Sequence, residues 1–309
     1  MAVDLKNRCV TDRRRSRLQA SVLIGLALAF SQSACKPKRQ SERLTVASAG
    51  RISSLDPALA STTGVLQVLS ALGDTLYIRG TNGKLQPQLA ASKPQLSDDG
   101  LSLTIPLRRD VLFHDGTRFD AEAMAFSLNR FLRIGSQRYL LSDRIAAIET
   151  PNTFEIRLRL KHPSSSFESL LTSPYLTPVS PKAYADHADR FLNDRFVGTG
   201  PYTLNSFRNT QQRLLPFRQY WGDPPNNVGL DLINLSNSTA LFGALISGEV
   251  DVLLSNSIDE DQKRALSERA DKALLRESKG PAMNITFVTL RTNRPPMQSQ
   301  TVRRALAHS

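Results

Sequence analysis

The residues best suited to metal or acid–base chemistry are four histidines, His114, His162, His187 and His308. No two of them stand three or four positions apart, the spacing at which a helix presents a pair of metal ligands. No cysteine accompanies them, and the patterns HExxH, GxSxG, GxGxxG and the P-loop are absent from the sequence. We therefore predict no metal site, no cofactor and no enzyme activity.

Three further groups invite a chemical interpretation. His114-Asp115 resembles half of a general acid–base pair, but Asp115-Gly116 is typical turn sequence, and we favour the structural interpretation. Glu249 and Asp251 form a carboxylate pair, which we assign to a helix-to-strand junction. The aromatic pair Tyr220-Trp221 stays open between stacking on a ligand and shaping a turn, because Gly-Asp-Pro-Pro follows it.

The stretch "FHDGTRFDAEAMAFSLNR", residues 113–130, predicts a turn that leads directly into a helix. Asp120 stands where an N-cap belongs and Glu122 falls in the first turn. Met124 and Leu128 continue the apolar helical spacing. So compact a turn and helix start indicates a structural role.

The other elements alternate between strands and helices. Alternating apolar residues predict strands at 101–107 and 154–160, the second following a turn at Thr150–Asn152. Residues 238–247 predict a helix that ends at Gly248, with a strand at 250–254 directly after it. This order predicts an α/β fold that contains several antiparallel hairpins.

The N-terminus predicts export. The chain has 309 residues and a net charge of +12, and a basic run at 13–17 precedes thirteen apolar residues at 18–30. That apolar run is shorter than the ~20 residues of a membrane span and is typical of a secretory signal. We predict a signal peptide at 1–34 and, because "SQSAC" resembles a bacterial lipobox, lipid attachment at Cys35. Cys9 precedes the cleavage point, so the mature chain has no disulfide.

The basic charge does not predict a nucleic-acid partner. After residue 43 no stripe of lysine and arginine is interleaved with aromatic residues. We therefore expect no nucleic acid among the partners.

Six stretches in the same order resemble the family 5 extracellular solute-binding proteins of bacterial ABC transporters, the oligopeptide, dipeptide and nickel binders. They are "SLDPA" at 54–58, the segment at 97–130, "VGTGPYTLNSF" at 197–207, "YWGDPP" at 220–225, "ALISGEVDVLL" at 244–254 and "RPPMQSQTVRRAL" at 294–306. The resemblance covers nearly everything from residue 43 to the end.

The resemblance implies a bilobed, periplasmic-binding-protein-like (type II) α/β fold with an extra α/β domain. Its division would be lobe I at 35–73 and 199–283, the extra domain at 74–198, and the start of lobe II at 284–309. Because the family's chains continue much further, the expectation is a C-terminally truncated protein whose second lobe is largely missing. The segment 113–130 would then be scaffold of the extra domain.

The function that the resemblance implies is the substrate-binding component of an ABC importer. It would capture an oligopeptide or dipeptide in the cleft between two lobes and deliver it to a membrane permease driven by ATPase subunits. The chain would be a monomer in the periplasm or cell envelope, held to the membrane by its lipid anchor. Carried over by position, the residues expected at the ligand are Ser61, Thr62, Thr63, Tyr139, Ser255 and Asn256.

Two alternatives stay open at this point. One is a nickel, haem or other small-solute binder of the same family. The other is a first-lobe remnant that acts as a non-transporting surface or interaction protein.

Overall fold

Of the strands in the described residues, the first and the last belong to one five-stranded sheet. The computed structural model describes residues 43–80, 82–254, 258–272, 275–278 and 289–308. The strands of this sheet are β1 (Leu44–Ala49), β8 (Tyr202–Arg208), β9 (Gln211–Pro216), β10 (Leu230–Leu235) and β11 (Val252–Leu253), in the order β11-β1-β10-β9-β8. β1 is parallel to both β10 and β11, and β9 is antiparallel to its two neighbours. The carboxyl ends of three parallel strands therefore meet at one edge.

Two smaller sheets are built from residues between β1 and β8. β2 (Tyr77–Arg79) and β3 (Leu85–Pro87) form a hairpin. β4 (Gln95–Leu96), β5 (Ser102–Pro106), β6 (Ile145–Asn152) and β7 (Glu155–Leu160) form a sheet of order β4-β5-β7-β6. Every pairing in these two sheets is antiparallel. The mixed α/β order predicted from the sequence is thus confirmed.

Eight α-helices lie within the described residues. They are α1 (Thr63–Leu72), α2 (Ala121–Ile134), α3 (Tyr139–Ser142), α4 (Phe167–Leu170), α5 (Pro181–Tyr184), α6 (Ser238–Ser247), α7 (Glu260–Asp271) and α8 (Gln300–Ala307). α1 buries Val65, Val68, Leu69 and Leu72 in one core cluster. α2 buries its apolar side in a second and larger cluster with strands β5 and β7.

The turn and helix at 113–130 form as the sequence predicts. Gly116 has φ +79, and the side chain of Asp115 accepts the N–H of Thr117 at 3.1 Å. The side chain of Asp120 caps α2 by accepting the N–H of Ala123 at 2.9 Å. Short polar side chains at these positions satisfy backbone donors that the turn and the helix start would leave unpaired.

One predicted turn was wrong. The hairpin between β6 and β7 turns at 153–154, after Asn152, and not at Thr150–Asn152. Pro151 lies instead within β6, an edge strand, where the register with β7 shifts between Glu149 and Asn152. A proline is tolerated there because an edge strand at an irregularity does not need every N–H.

The chain leaves the five-stranded sheet and returns to it at adjacent points. The N–H of Gly200 donates to the carbonyl of Leu72 at 3.0 Å, and the N–H of Asp74 donates to the Thr199 hydroxyl at 3.3 Å. A Cβ on Gly200 would lie 2.5 Å from the backbone nitrogen of Gly73. The sequence "GTG" at 198–200 is therefore required by the close approach of the two backbone segments.

Candidate functional site

A cavity lies at the carboxyl end of β1, where the three parallel strands of the large sheet finish. Its volume is about 220 Å³. Its lining residues are Ser48, Ala49, Gly50, Arg51, Ile52, Thr62, Thr63, Gly64 and Gln67. In open α/β sheets, ligands bind outside the carboxyl ends of the strands, so this is the place where the topology favours a site.

The local backbone forms the cavity between a loop and a helix start. After β1, Gly50 adopts φ +91, and its N–H donates to the carbonyl of Leu235 at the end of β10. The chain then returns to begin α1, whose N-cap Thr62 accepts the N–H of Val65 through its side chain at 3.4 Å. The first turn of α1 therefore faces the loop that follows β1.

The polar groups around this cavity retain unused hydrogen-bonding capacity. Gln67 Oε1 is buried and accepts no hydrogen bond within the described residues. The Asn234 amide donates to Ser48 Oγ at 2.9 Å, while its own Oδ1, in a residue only 8% exposed, has no partner in that same part of the chain. Buried polar atoms in native proteins usually have partners, so these two oxygens are exceptions among the described residues.

The structure brings two of the predicted ligand residues together. Thr62 and Thr63 both line the cavity, and Ser61 is exposed immediately before them. Tyr139 is 56% exposed, donates its hydroxyl proton to Gln137 at 2.7 Å and is not a lining residue. Ser255, Asn256 and the predicted lipid site Cys35 lie outside the described residues.

Of the lining residues that the sequence interpretation did not identify, three have polar side chains, Ser48, Arg51 and Gln67. Gln67 had a detectable signal, because it is a polar residue inside the apolar run "VLQVLSAL" on a helix whose apolar face is buried. Ser48 and Arg51 had none, since an exposed arginine in a loop and a serine in a strand are ordinary features of a surface.

A larger groove, of about 530 Å³, lies along the edge strand β8. It is lined by Ala183, Asp194, Arg195, Phe196, Val197, Leu204, Asn205, Ser206 and Phe207. None of these was predicted as a ligand residue, and none belongs to the carboxyl ends of the three parallel strands. We therefore take the smaller cavity as the candidate site.

Backbone hydrogen bonds and aromatic rings surround the His114 side chain. Its Nδ1 accepts the N–H of Gly198 at 3.4 Å, and its Nε2 lies 3.0 Å from the carbonyl of Gly200, to which it donates. Phe196 and Phe217 contact the ring edge to face. Burial lowers the pKa of His114 to about 4, although the contact with Gly200 and the charge of Asp115 oppose this. The imidazole is thus neutral and occupied, as the structural interpretation of His114-Asp115 requires.

Tyr220 and Trp221, whose role the sequence left undecided, donate hydrogen bonds to a carboxylate of the protein itself. Trp221 Nε1 donates to Asp74 at 2.8 Å and the Tyr220 hydroxyl donates to it at 3.1 Å. Burial raises the pKa of Asp74 to about 6, an effect that these hydrogen bonds partly offset. Arg108 lies over the Trp221 ring at 4.2 Å. These contacts favour the structural interpretation of the pair.

The carboxylate pair Glu249 and Asp251 lies at the junction between a helix and a strand. Asp251 accepts the N–H of Thr45 at 2.7 Å, and Glu249 follows the left-handed Gly248 that ends α6. The junction between α6 and β11 is therefore where the sequence predicted it.

The described residues contain neither a cluster of metal ligands nor a helix that could span a membrane. Within them, no group of three or more histidine, cysteine, aspartate or glutamate side chains is arranged to hold a metal ion. In the same ranges, every helix is too short or too polar to cross a membrane.

Sequence comparison relates the chain to exported binding proteins. Residues 84–309 match the family described as bacterial extracellular solute-binding proteins, family 5 Middle. The glutathione-binding protein GsiB of Escherichia coli O1:K1 is 27% identical over 294 residues, which are 93% of this chain and 55% of that protein. The probable D,D-dipeptide-binding periplasmic protein DdpA of Escherichia coli K12 is 29% identical over 226 residues, which are 71% of this chain and 42% of that protein. The chain thus spans about half the length of the curated relatives that it matches.

Structural comparison gives the same fold. A dipeptide-binding protein from Pseudoalteromonas sp. SM9913, solved in complex with Met-Leu, superposes with a TM-score of 0.70 at 22% identity. The superposition covers 86% of this chain and 56% of that structure. The fold is therefore that of the bilobed periplasmic binding proteins, of which the chain spans a little over half. Together with the match over residues 84–309, this establishes that the chain belongs to the family 5 bacterial extracellular solute-binding proteins.

Proposed function

We propose that this protein is the substrate-binding component of an ABC importer, and that the cavity at the end of β1 is the lobe I side of its solute cleft. The solute is an oligopeptide or dipeptide, delivered to a membrane permease and its ATPase subunits. The chain itself catalyses no reaction.

One observation carries the proposal. Thr62 and Thr63, selected by position in the family, line a cavity at the carboxyl ends of the three parallel strands, together with the polar residues Ser48, Arg51 and Gln67. A cleft that closes on a solute needs polar groups that exchange water for the solute, because a solute shifts the equilibrium only through interactions that are stronger in the closed state. The names of GsiB and DdpA support a small, peptide-like solute.

Ligand-induced stabilisation tests this proposal. The purified protein is unfolded by heat in the presence of dipeptide pools and of glutathione, with pools of free sugars as the control. A ligand at a hundredfold excess over its Kd adds about 2.7 kcal/mol to the free energy of unfolding. A shift with peptides and none with sugars supports the proposal. The absence of any shift with peptides would contradict it and favour a non-transporting surface protein.

The location and domain division belong to the same proposal. We propose a periplasmic or cell-envelope monomer, anchored by lipid at Cys35 after removal of residues 1–34. We also propose lobe I at 35–73 and 199–283, the extra domain at 74–198 and the start of lobe II at 284–309. The intact mass of protein extracted from its native membrane tests the anchor, since an unmodified Cys35 in a soluble fraction would exclude it.

A further inference from the structure

We propose that Arg130 is a positioning residue for solute binding, and that it acts through Asp56 on the loop between β1 and α1. This loop, residues 50–62, is called the cavity loop below. The inference rests on the proposed function, because it concerns the cavity that we assign to the solute. It gives the segment between residues 74 and 198 a role in binding, although that segment supplies no lining residue of the cavity.

The two ends of the cavity loop form walls of the cavity. Arg51 and Ile52 line it from the start of the loop, and Thr62 lines it from the end. The structure describes every residue of this loop, and those from 53 to 61 do not line the cavity. The separation of the two walls therefore depends on how the middle of the loop is held.

The middle of the cavity loop is buried and bonded to the segment between 74 and 198. The N–H of Leu55 donates to the carbonyl of Asn193 at 2.9 Å. The carbonyl of Ala58 accepts the N–H of Ser136 at 2.7 Å. Leu55 and Ala58 are 0% and 3% exposed. Two backbone contacts thus fix the loop on either side of Asp56.

The Asp56 carboxylate is the central anchor of the loop. It accepts two hydrogen bonds from the Arg130 guanidinium, one from the N–H of Ala58 at 3.0 Å and one from the N–H of Leu192 at 2.8 Å. Three of these four bonds come from the segment between 74 and 198. A bidentate contact fixes orientation as well as distance, so Arg130 determines where this part of the loop lies.

Stability alone does not explain a buried ion pair at this place. The cost of removing two charges from water often exceeds their attraction, and well-packed apolar side chains of similar volume can stabilise a protein as well or better. The Nε of Arg130 adds to the cost, because it is buried and has no partner within the described residues. Apolar side chains could not supply directed bonds, and directed bonds are what the placement of the two cavity walls requires.

Ser136→Pro tests the anchoring without touching the cavity. The N–H of Arg138 donates to the carbonyl of Gly135 at 3.1 Å, so Ser136 is the second residue of a β-turn, a position that favours proline. Gly135 has φ −59 and ψ 132, the extended conformation that the residue before a proline adopts. The substitution therefore suits the turn but removes the donor to the Ala58 carbonyl. Ser136→Ala keeps that N–H and is the matched control.

Arg130→Lys tests the ion pair itself. It keeps a positive charge beside Asp56, but an ammonium cannot form the two parallel hydrogen bonds of a guanidinium. Arg133→Lys is the matched control, because Arg133 lies on the same helix and its partner Asp189 is exposed. Urea unfolding of all four variants establishes that each is folded. If Arg130→Lys does not fold, Ser136→Pro still tests the inference.

The first measurement needs no solute. Backbone amide signals of ¹⁵N-labelled protein report the surroundings of each cavity wall. We expect the signals of Arg51 and Thr63 to shift in Ser136→Pro and in Arg130→Lys, and to stay unchanged in the two controls. A shift at Ala58 without any shift at Arg51 and Thr63 would overturn the inference, because the middle of the loop would have moved without its ends.

The second measurement is the Kd, which a purely structural role would leave unchanged in a folded variant. The probes are glutathione and the dipeptide Met-Leu, titrated by calorimetry. We expect Ser136→Pro and Arg130→Lys to bind about five- to tenfold more weakly than the wild type, the effect of about one misplaced hydrogen bond. A loss of stability in urea with an unchanged Kd would contradict a positioning role for Arg130.

Failure of the inference and failure of the proposed function are distinguishable. If a probe binds the wild type and both variants equally well, the positioning role is wrong and the importer function stands. If neither probe binds the wild type but the signals of Arg51 and Thr63 shift in the variants, Arg130 positions the cavity and the proposed peptide-like solute is wrong.

Discussion

Asp56 and Arg130 form a bidentate ion pair, with Nη1 to Oδ1 at 2.8 Å and Nη2 to Oδ2 at 2.6 Å. The two side chains are 0% and 3% exposed. Asp56 also accepts the N–H groups of Ala58 and Leu192, and Arg130 donates to the carbonyl of Arg190. The "SLDPA" loop and the C-terminal part of α2 are thus joined by one buried contact, although they are 74 residues apart.

Removing the arginine of this pair should destabilise the protein severely. Arg130→Met leaves the Asp56 carboxylate buried without its countercharge, which typically costs about 3–5 kcal/mol. The free energy of unfolding in urea measures it. Arg133→Met is the matched control on the same helix, because its partner Asp189 is 76% exposed and such surface pairs contribute about 1 kcal/mol or less. Equal losses in the two variants would contradict this account of the buried pair.

Asp74 should make the protein less stable as the pH rises. Its pKa is about 6 in the folded protein against 3.8 in the unfolded chain, so its stabilising contribution is fully present below pH 3.8 and is lost as the pH rises through 6. Between pH 4 and pH 7 the loss should be about 2 kcal/mol. Urea unfolding of wild type and Asp74→Asn across this range measures it as the change in their difference, with the exposed Asp98→Asn as control. A difference that does not vary with pH would contradict the raised pKa.

His114 should make the protein less stable as the pH falls. Its folded pKa of about 4 lies below its ordinary 6.5, so its contribution is present above pH 6.5 and is lost as the pH falls through 4. From pH 7 to pH 4 the loss should be about 3 kcal/mol. His114→Gln, which keeps a donor for the Gly200 carbonyl, should lack this loss when unfolding is followed by circular dichroism. If the variant and the wild type lose stability in parallel, His114 is not buried in its neutral form.

Two glycine substitutions should have opposite effects. Gly200→Ala places a Cβ 2.5 Å from the backbone of Leu72 and Gly73, and neither backbone can yield as a flexible side chain would. We expect a loss of about 1–3 kcal/mol, the usual cost of overpacking. Gly243→Ala lies in the interior of α6 with no atom within 4 Å of the new Cβ, and should add up to about 1 kcal/mol through helix propensity. Melting temperatures that change in the same direction would contradict the close approach at Gly200.

The elements that the sequence predicted correctly are those encoded by neighbouring residues. Asp120 before an apolar periodic run predicted the start of α2, and Gly248 after such a run predicted the end of α6. Both depend on backbone groups within one turn of the named residue. The turn placed at Thr150–Asn152 failed because Pro151 lies on an edge strand, and no local pattern distinguishes an edge strand from a turn.

The site was only partly predictable for the same reason. Thr62 and Thr63 were found through the resemblance to the family, since a pair of threonines in a loop has no distinctive local pattern. Gln67 lines the cavity only because α1 and the loop after β1 come together in the fold, which no local pattern reports. The network around Asp74 joins residues more than a hundred positions apart. It forms only when the segment that leaves the large sheet and the segment that returns to it come together.

The chain leaves the large sheet after Leu72 and returns to it at Gly200, and these two points are adjacent. Because the Leu72 carbonyl and the Gly200 N–H are hydrogen-bonded partners, everything between them begins and ends at one spot on the large sheet. A segment with neighbouring ends can be exchanged as a cassette without altering the path of the rest of the chain. The stretch between 74 and 198 can thus be exchanged for the corresponding stretch of a relative that also supplies an arginine to the buried Asp56 carboxylate. The five strands that support the cavity would keep their order, because none of them is drawn from the part that is exchanged.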